Sequence, residues 1–223
     1  MSGLIARRGM MARKSGGGGG LSDYVQDGLI LHFDGIEKGT TPDAWTCVKS
    51  GKVFTNVGTV ATNNSWICNE VGAHLEAQEI LDLDYRDRAT TLELVIQINK
   101  STGSNRLFSL LNSYFCVGGY NNLLIYGCNN KLVDKKSIPR VYGLMTIAFK
   151  ALEVVYNKDV LVNTQKDRWS SFISGTKSII GNPTENADIE VYAVRFYDRE
   201  LTTEEILANQ KVDNIRFHLG LNI

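Results

Sequence analysis

The chain has 223 residues, with 24 Lys plus Arg against 24 Asp plus Glu, and it carries 21 glycines but only 3 prolines. A single domain of this size buries roughly 70–75% of its unfolded surface and needs no disulfide staple. Balanced charge gives no global attraction to nucleic acid or an anionic membrane, and no run of about 18 apolar residues marks a membrane-spanning helix.

Residues 1–20, MSGLIARRGMMARKSGGGGG, read as an arm distinct from a domain at 21–223. Gly16 to Gly20 form a flexible tether. Ahead of it, Leu4, Ile5, Met10 and Met11 mix with Arg7, Arg8, Arg13 and Lys14. Three readings stand for such a terminus: a solvated tail, a weak electrostatic contact with nucleic acid or lipid, or a peptide that orders on a partner. The apolar content raises the last, because methionine is an adaptable apolar anchor. Leu4, Ile5, Arg7, Arg8, Met10 and Met11 are then the docking residues. The apolar run is too short for an export signal. The chain is therefore expected to act inside a cell or to leave by another route, such as within a virus particle.

A first strand is expected over Gly28–Asp34, GLILHFD. Further strand candidates follow at 65–69, 73–81, 91–98, 106–111, 114–117, 123–126, 141–149, 152–156, 160–163 and 177–180. The clearest is Thr91–Ile98, with Leu92, Leu94, Ile96 and Ile98 on one face and Glu93, Val95 and Gln97 on the other. Turn residues separate the candidates, among them Gly118-Gly119, Asn129-Asn130, Asn157-Lys158-Asp159 and Asn182-Pro183. Short strands in this number with one terminal helix predict an all-β fold, an antiparallel β-sandwich with a short C-terminal α-helix. In the last strand Tyr192, Val194 and Phe196 are expected on one face, and Val191, Ala193, Arg195 and Tyr197 on the other. Thr202 then caps a helix with Glu205 three residues on, and Ile206, Leu207 and Ile215 are its expected buried stripe.

This last segment resembles the C-terminal signature of the laminin-G-like branch of concanavalin-A-type jelly rolls. That signature runs from an aromatic-Val/Ile-Arg strand through Tyr-Asn/Asp-Arg-x-Leu-Thr-x-Glu-Glu-Ile into a helix ending near Asp-x-x-Arg-Phe. Arg195, Tyr197, Asp198, Arg199, Leu201, Thr202, Glu204, Glu205, Ile206, Asp213, Arg216 and Phe217 fall into it. Asp27, Gly28, Leu29, Leu31, Asp34 and Gly35 are similar to the way such domains open. The turn at Asn157 to Asp159 fits a hairpin common among them. The resemblance implies a concanavalin-A-like jelly-roll sandwich. After Trp45 the chain departs from the acidic, glycine-rich loop of the family, with Thr46-Cys47-Val48 and Lys52-Val53-Phe54 in its place. The roles which that loop carries in the family, an ion site among them, are therefore not carried over to this chain by the resemblance. The opening residues also resemble the Leu-Ile-Ala-Arg-Arg-x-Met-Met starts of tail and fibre proteins of phages infecting gut bacteria.

Catalytic patterns are sparse. Retaining glucanases of this architecture mount paired carboxylates in a Glu-x-Asp-x-x-Glu run, and none occurs here. Asp82 and Asp84 share a face without the required glutamates, and Glu190 has only Asp188 near it, at a strand edge. His32, His74 and His218 adjoin no nucleophile elbow and read as hydrogen-bonded structural residues. The glycine run has no Lys-Ser/Thr after it and so is no phosphate loop. Cys47, Cys68, Cys116 and Cys128 form no C-x-x-C pair and are expected to be free. No cofactor is expected; calcium suits a loop of this fold, but no spacing assigns a site.

A binding surface is what remains. Sugar sites combine an aromatic face with amide, carboxylate or guanidinium groups. Trp45 and Trp66 match core positions and are expected to pack. Trp169 with Arg168, and Tyr120 with Asn121 and Asn122, are the glycan-contact candidates; the alternative for each aromatic is packing against the sandwich edge. The expected protein is thus a non-enzymatic module displayed on a phage virion as a fibre, tail or head-decoration subunit. The arm would bind other virion subunits, the sandwich would meet surface glycans, and the protein would form a homo-oligomer with no nucleic-acid partner. The rival readings are a glycan-binding surface protein of a gut bacterium and, behind it, a glycoside hydrolase.

Overall fold

A computed structural model describes residues 19–38, 43–81, 88–99, 106–110, 113–118, 123–128, 131–137, 143–150, 153–162, 177–184 and 186–223. A single 3-10 turn, Leu21–Asp23, precedes the first strand. In chain order the strands are β1 (Leu29–Asp34), β2 (Ala44–Thr46), β3 (Val53–Val57), β4 (Val60–Ala61), β5 (Trp66–Cys68), β6 (His74–Gln78), β7 (Thr91–Ile98) and β8 (Arg106–Leu110). They continue as β9 (Ser113–Gly118), β10 (Leu123–Cys128), β11 (Lys131–Ser137), β12 (Gly143–Lys150), β13 (Glu153–Tyr156), β14 (Asp159–Val162), β15 (Lys177–Gly181) and β16 (Ile189–Tyr197). The helix α1 (Thr203–Arg216) follows.

The strands form two eight-stranded sheets. One has the order β14-β13-β12-β7-β16-β5-β4; the other runs β11-β10-β9-β8-β15-β6-β3-β2. In the first sheet β5 pairs with the front half of β16 and β1 with its back half. Every described pairing is antiparallel. This is the antiparallel sandwich with a C-terminal helix that the sequence predicts.

One core lies between the sheets. β7 contributes Leu92, Leu94, Ile96 and Ile98, the face expected from strict alternation. Phe33 meets Phe54 and Trp45 edge-on, with ring centroids 4.8 Å and 5.5 Å away. Trp45 and Trp66 are both fully buried, as expected. The Trp45 indole N–H donates to the carbonyl of Asp34 at 2.9 Å, so this buried donor is satisfied. Cys47 and Cys68 are buried and free, and burial pushes the Cys68 thiol up to about 12. The side chains of Cys116 and Cys128 lie outside the described residues.

Three expectations need correction. First, a bulge between Val191 and Ala193 shifts the register of β16 against β7. Val191 therefore joins Val194 and Phe196 in the inter-sheet core, while Tyr192 and Ala193 both turn to the outer face. A bulge inserts one residue into the period of two, and plain alternation carried across it misassigns Val191 and Tyr192. Second, the region around Val53-Phe54, taken as a loop, contains β2 and β3, and Lys131–Ser137 forms β11. Lys131, Asp134, Lys135 and Lys136 hide the strand pattern there, and charge of this kind belongs on an edge strand such as β11.

Third, the buried row of α1 is not an apolar stripe. Ile206 is buried, but Ile215 is 52% exposed, and the remaining buried residues are Asn209, Gln210, Val212 and Asp213. Positions 206, 209, 210 and 213 share one side of a 3.6-residue helix, and 215 lies off it. The predicted cap is present. Thr202 Oγ1 accepts from the Glu205 N–H at 3.2 Å, and Glu205 Oε2 accepts from the Thr202 N–H at 2.8 Å.

Candidate functional site

Beneath α1 the outer face of the first sheet carries a buried charged cluster. Arg195 on β16 stands opposite Glu93 on β7, so strand pairing alone brings the two side chains together. Arg195 Nε donates to Glu93 Oε2 at 2.8 Å and Nη1 donates to Asp213 Oδ1 at 2.7 Å. Nη2 donates to the other oxygen of Asp213. Asn209 Nδ2 donates to Glu93 Oε2 and to the Tyr197 hydroxyl, each at 3.0 Å. The N-terminal segment closes the cluster. The Tyr24 hydroxyl donates to Asp213 Oδ1 at 2.8 Å, and its ring centroid is 4.4 Å from the Arg195 guanidinium carbon.

Burial raises the Glu93 carboxyl above the usual carboxylate range despite the opposing pull of Arg195. Burial works against the charge of Arg195 as well, but Asp213 and Glu93 outweigh it and hold the guanidinium well above its ordinary value. Burial, followed by neighbouring carboxylates, also raises the Tyr24 and Tyr197 hydroxyls. Arg195 is 1% exposed and spends its fork on protein carboxylates, so the cluster fastens helix to sheet and offers a solute no approach. A second pair extends it: Arg216 Nε donates to Asp34 Oδ2 at 2.7 Å. Burial pushes Asp34 up, but Arg216 and the Glu37 N–H leave it below its ordinary value.

The histidines divide. His74 Nδ1 lies 2.6 Å from the Gly72 carbonyl, a structural role as expected. His218 is exposed and takes a positive φ of 55° just past α1. His32 is buried, yet its Nε2 makes no hydrogen bond and sits 3.7 Å from Asp34 Oδ2. The expected hydrogen-bonded role at that atom is thus replaced by packing against Tyr24, because Arg216 already occupies the Asp34 carboxylate. Glu190 accepts from the Ser65 hydroxyl, and Asp188 accepts from Asn99 Nδ2 at 3.2 Å. Among the described residues no group of three or more His, Cys, Asp or Glu is placed to hold a metal, and no helix is long and apolar enough to cross a membrane.

The glycan-contact candidates Tyr120, Asn121, Asn122, Arg168 and Trp169 lie outside the described residues, as do the arm residues Leu4, Ile5, Arg7, Arg8, Met10 and Met11 and the carboxylates Asp82 and Asp84. Their flanking strands are described. Gly181 pairs with His74 and Lys177 with Gln78, so β15 pairs along the whole of β6. Through Ile180↔Phe108, Arg106↔Cys116 and Leu123↔Gly118, the ends that flank 119–122 lie at the Gly181 end. The stretch carrying Trp169 leads into Lys177, at the opposite end. Sequence reasoning missed the Arg195 cluster as a unit. Its signal was present: a lone Arg in IEVYAVRFY and a lone Glu in TLELVIQI, each in an otherwise apolar or aromatic-rich strand.

No family model matches the chain, and no curated protein sequence matches it. Solved structures share its fold. Trypanosoma rangeli sialidase in complex with the inhibitor DANA aligns with a TM-score of 0.67 at 12% identity, over 83% of this chain and 33% of the sialidase. The binding domain of botulinum neurotoxin serotype D/C aligns with a TM-score of 0.58 at 13% identity, over 82% of this chain and 52% of that one. The binding domain of botulinum neurotoxin DC in complex with SialylT gives 0.56 at 12% identity, over 83% and 51%. The chain thus spans a third of the sialidases and about half of the toxin domains. At these identities the likeness is one of fold alone, an antiparallel β-sandwich. The expectation of a non-enzymatic chain is corrected by this comparison: the same fold is found within sialidases, so the architecture does not set the chain apart from enzymes.

Proposed function

We propose that the sandwich is a glycan-binding module. The observation that carries this reading is the shared fold with a toxin binding domain captured in complex with SialylT. Trp169 with Arg168, and Tyr120 with Asn121 and Asn122, are the contacts proposed for it: an indole or phenol ring supplies the stacking face, and amide or guanidinium groups meet hydroxyls. Because β9 and β10 flank 119–122 at the Gly181 end of the second sheet and β15 begins at its other end, each stretch is tested by itself. A glycan array with the full chain, beside Trp169→Ala and Tyr120→Ala, is the experiment. Reproducible binding that drops at least tenfold in one variant supports the reading; silence of the wild-type chain across the array overturns it. Sialoside turnover measured on the same sample separates binding from hydrolysis.

The finer part of the proposal concerns a carrier. Residues 1–20 are assigned the role of tethering the module to a larger assembly such as a virion, with Leu4, Ile5, Met10 and Met11 as apolar anchors. The arm's mix of apolar residues and cations supports that assignment. An arm-deleted chain that assembles as well as the full chain would remove it.

A further inference from the structure

The segment Gly19–Gln26 is held against α1 by one buried side chain. None of Leu21, Ser22 and Asp23 is buried, whereas Tyr24 is 2% exposed. The Tyr24 ring stands edge-on to His32 at 4.9 Å, beside the Arg195 guanidinium, and its hydroxyl donates to Asp213. Around this plug the Val25 N–H donates to Asn209 Oδ1 at 2.9 Å, and the Gly19 carbonyl accepts from Arg216 Nη1 at 2.9 Å. Undocking Tyr24 would expose the imidazole that it covers.

The surroundings of His32 are hostile to a second proton. Arg195 of β16, Arg216 of α1 and Lys49 in the turn after β2 all oppose it, and Asp34 on the same strand favours it. Asp34 already accepts from Arg216 and from the Ile36 and Glu37 N–H groups. Asp213 is committed to Arg195 and Tyr24, and Cys47 Sγ accepts from the backbone N–H groups of His32 and Ser50. An imidazolium formed here would be buried, and the carboxylates Asp34 and Asp213 already hold other donors.

We propose that Gly19–Gln26 is an acid-releasable clasp, in which protonation of His32 lifts Tyr24 and frees the segment from α1. With the clasp closed, burial first and then Arg195 hold His32 down to about 3. A solvated histidine titrates near 6.5. Protons therefore bind the open form more readily, and full exposure of His32 shifts the equilibrium toward it by about 25-fold between pH 7 and pH 5.

Hydrogen–deuterium exchange of the full chain, corrected for the intrinsic rate at each pH, reads this opening at Val25. The expected result is a loss of protection of about 25-fold over residues 23–26 on going from pH 7 to pH 5, with β7 and β16 better protected than this segment at both pH values. His32→Gln should abolish the step. Tyr24→Phe, which keeps the ring and loses the hydroxyl, should lower protection at both pH values and keep the step. Absence of the step in the wild-type chain, the same step in His32→Gln, or protection of residues 23–26 equal to that of β7, which would mean that they open only with the whole domain, would overturn the proposal. Should His32→Gln fail to fold, the imidazole titration in Tyr24→Ala decides. A rise toward 6.5 supports the clasp, and a value unchanged from wild type refutes it.

Discussion

Replacing Arg195 by Met tests whether the charged cluster, and not apolar packing, fastens α1 to the sheet. Arg195 is the shared cation of Glu93 and Asp213, all three at most 2% exposed. Removing one partner of such a buried pair costs roughly 3–5 kcal/mol, because the remaining carboxylates keep their desolvation penalty without their counterion. Tyr24 also loses its cation–π contact, which contributes about 1–2 kcal/mol in a desolvated site. The expected loss is therefore about 5 kcal/mol, comparable to the whole stability of many domains. Urea unfolding at pH 7, followed by tryptophan fluorescence, measures it. The companion variant carries Arg195→Met with Glu93→Gln and Asp213→Asn, which removes every charge of the triad together. It should recover at least about 2 kcal/mol of the single variant's loss. A cost below about 1 kcal/mol for Arg195→Met, or a neutral triple variant no more stable than the single one, would refute the reasoning.

The remaining predictions are more local. Gly35→Ala places a Cβ 2.0 Å from the Asn64 carbonyl oxygen and 2.7 Å from that of Tyr192, both backbone atoms, so the variant should unfold at a clearly lower temperature or fail to fold; a thermal melt unchanged from wild type would contradict the packing of β1. His32 is depressed when folded, so the unfolded chain binds the extra proton first and stability falls as pH drops through the unfolded value. From 6.5 to about 3, linkage gives a loss of about 2 kcal/mol between pH 7 and pH 5, levelling off below the folded value; His32→Gln should flatten this limb in pH-dependent urea midpoints. Arg199, then the Thr202 N–H, holds Glu205 down to about 2, with burial in opposition. Its contribution is present above its ordinary value and is lost on acidification below about pH 4.5, after the His32 limb. Thr202→Ala removes the hydroxyl side of the capping box and should cost about 1 kcal/mol, read from the same urea curves; an unchanged midpoint would show the cap to be idle.

What local chemistry dictates was legible in the sequence. The strict alternation of Thr91–Ile98 allows only one face to the core, and the structure buries it as expected. Asn157 takes a positive φ of 49° in a two-residue turn that pairs Tyr156 with Asp159, a conformation asparagine tolerates better than most residues. The Thr202–Glu205 box needs only three residues of spacing, so the start of α1 was readable without its surroundings.

The rest depends on partners distant in the chain. The bulge at Val191–Ala193 is defined by its register against β7, about a hundred residues earlier, and it decides whether Val191 or Tyr192 enters the core. The polar underside of α1 looks wrong for burial until Arg195, Glu93, Tyr24 and Tyr197 arrive from three other segments to satisfy it. Which loop residues share an end of the sandwich follows from strand order, since pairing direction fixes where each turn emerges. Sequence periodicity thus determined which residues could face inward, while the partners that made a buried Asp or Arg tolerable were supplied only by long-range pairing, because the free energy of a buried charge depends on what stands within a few ångströms of it.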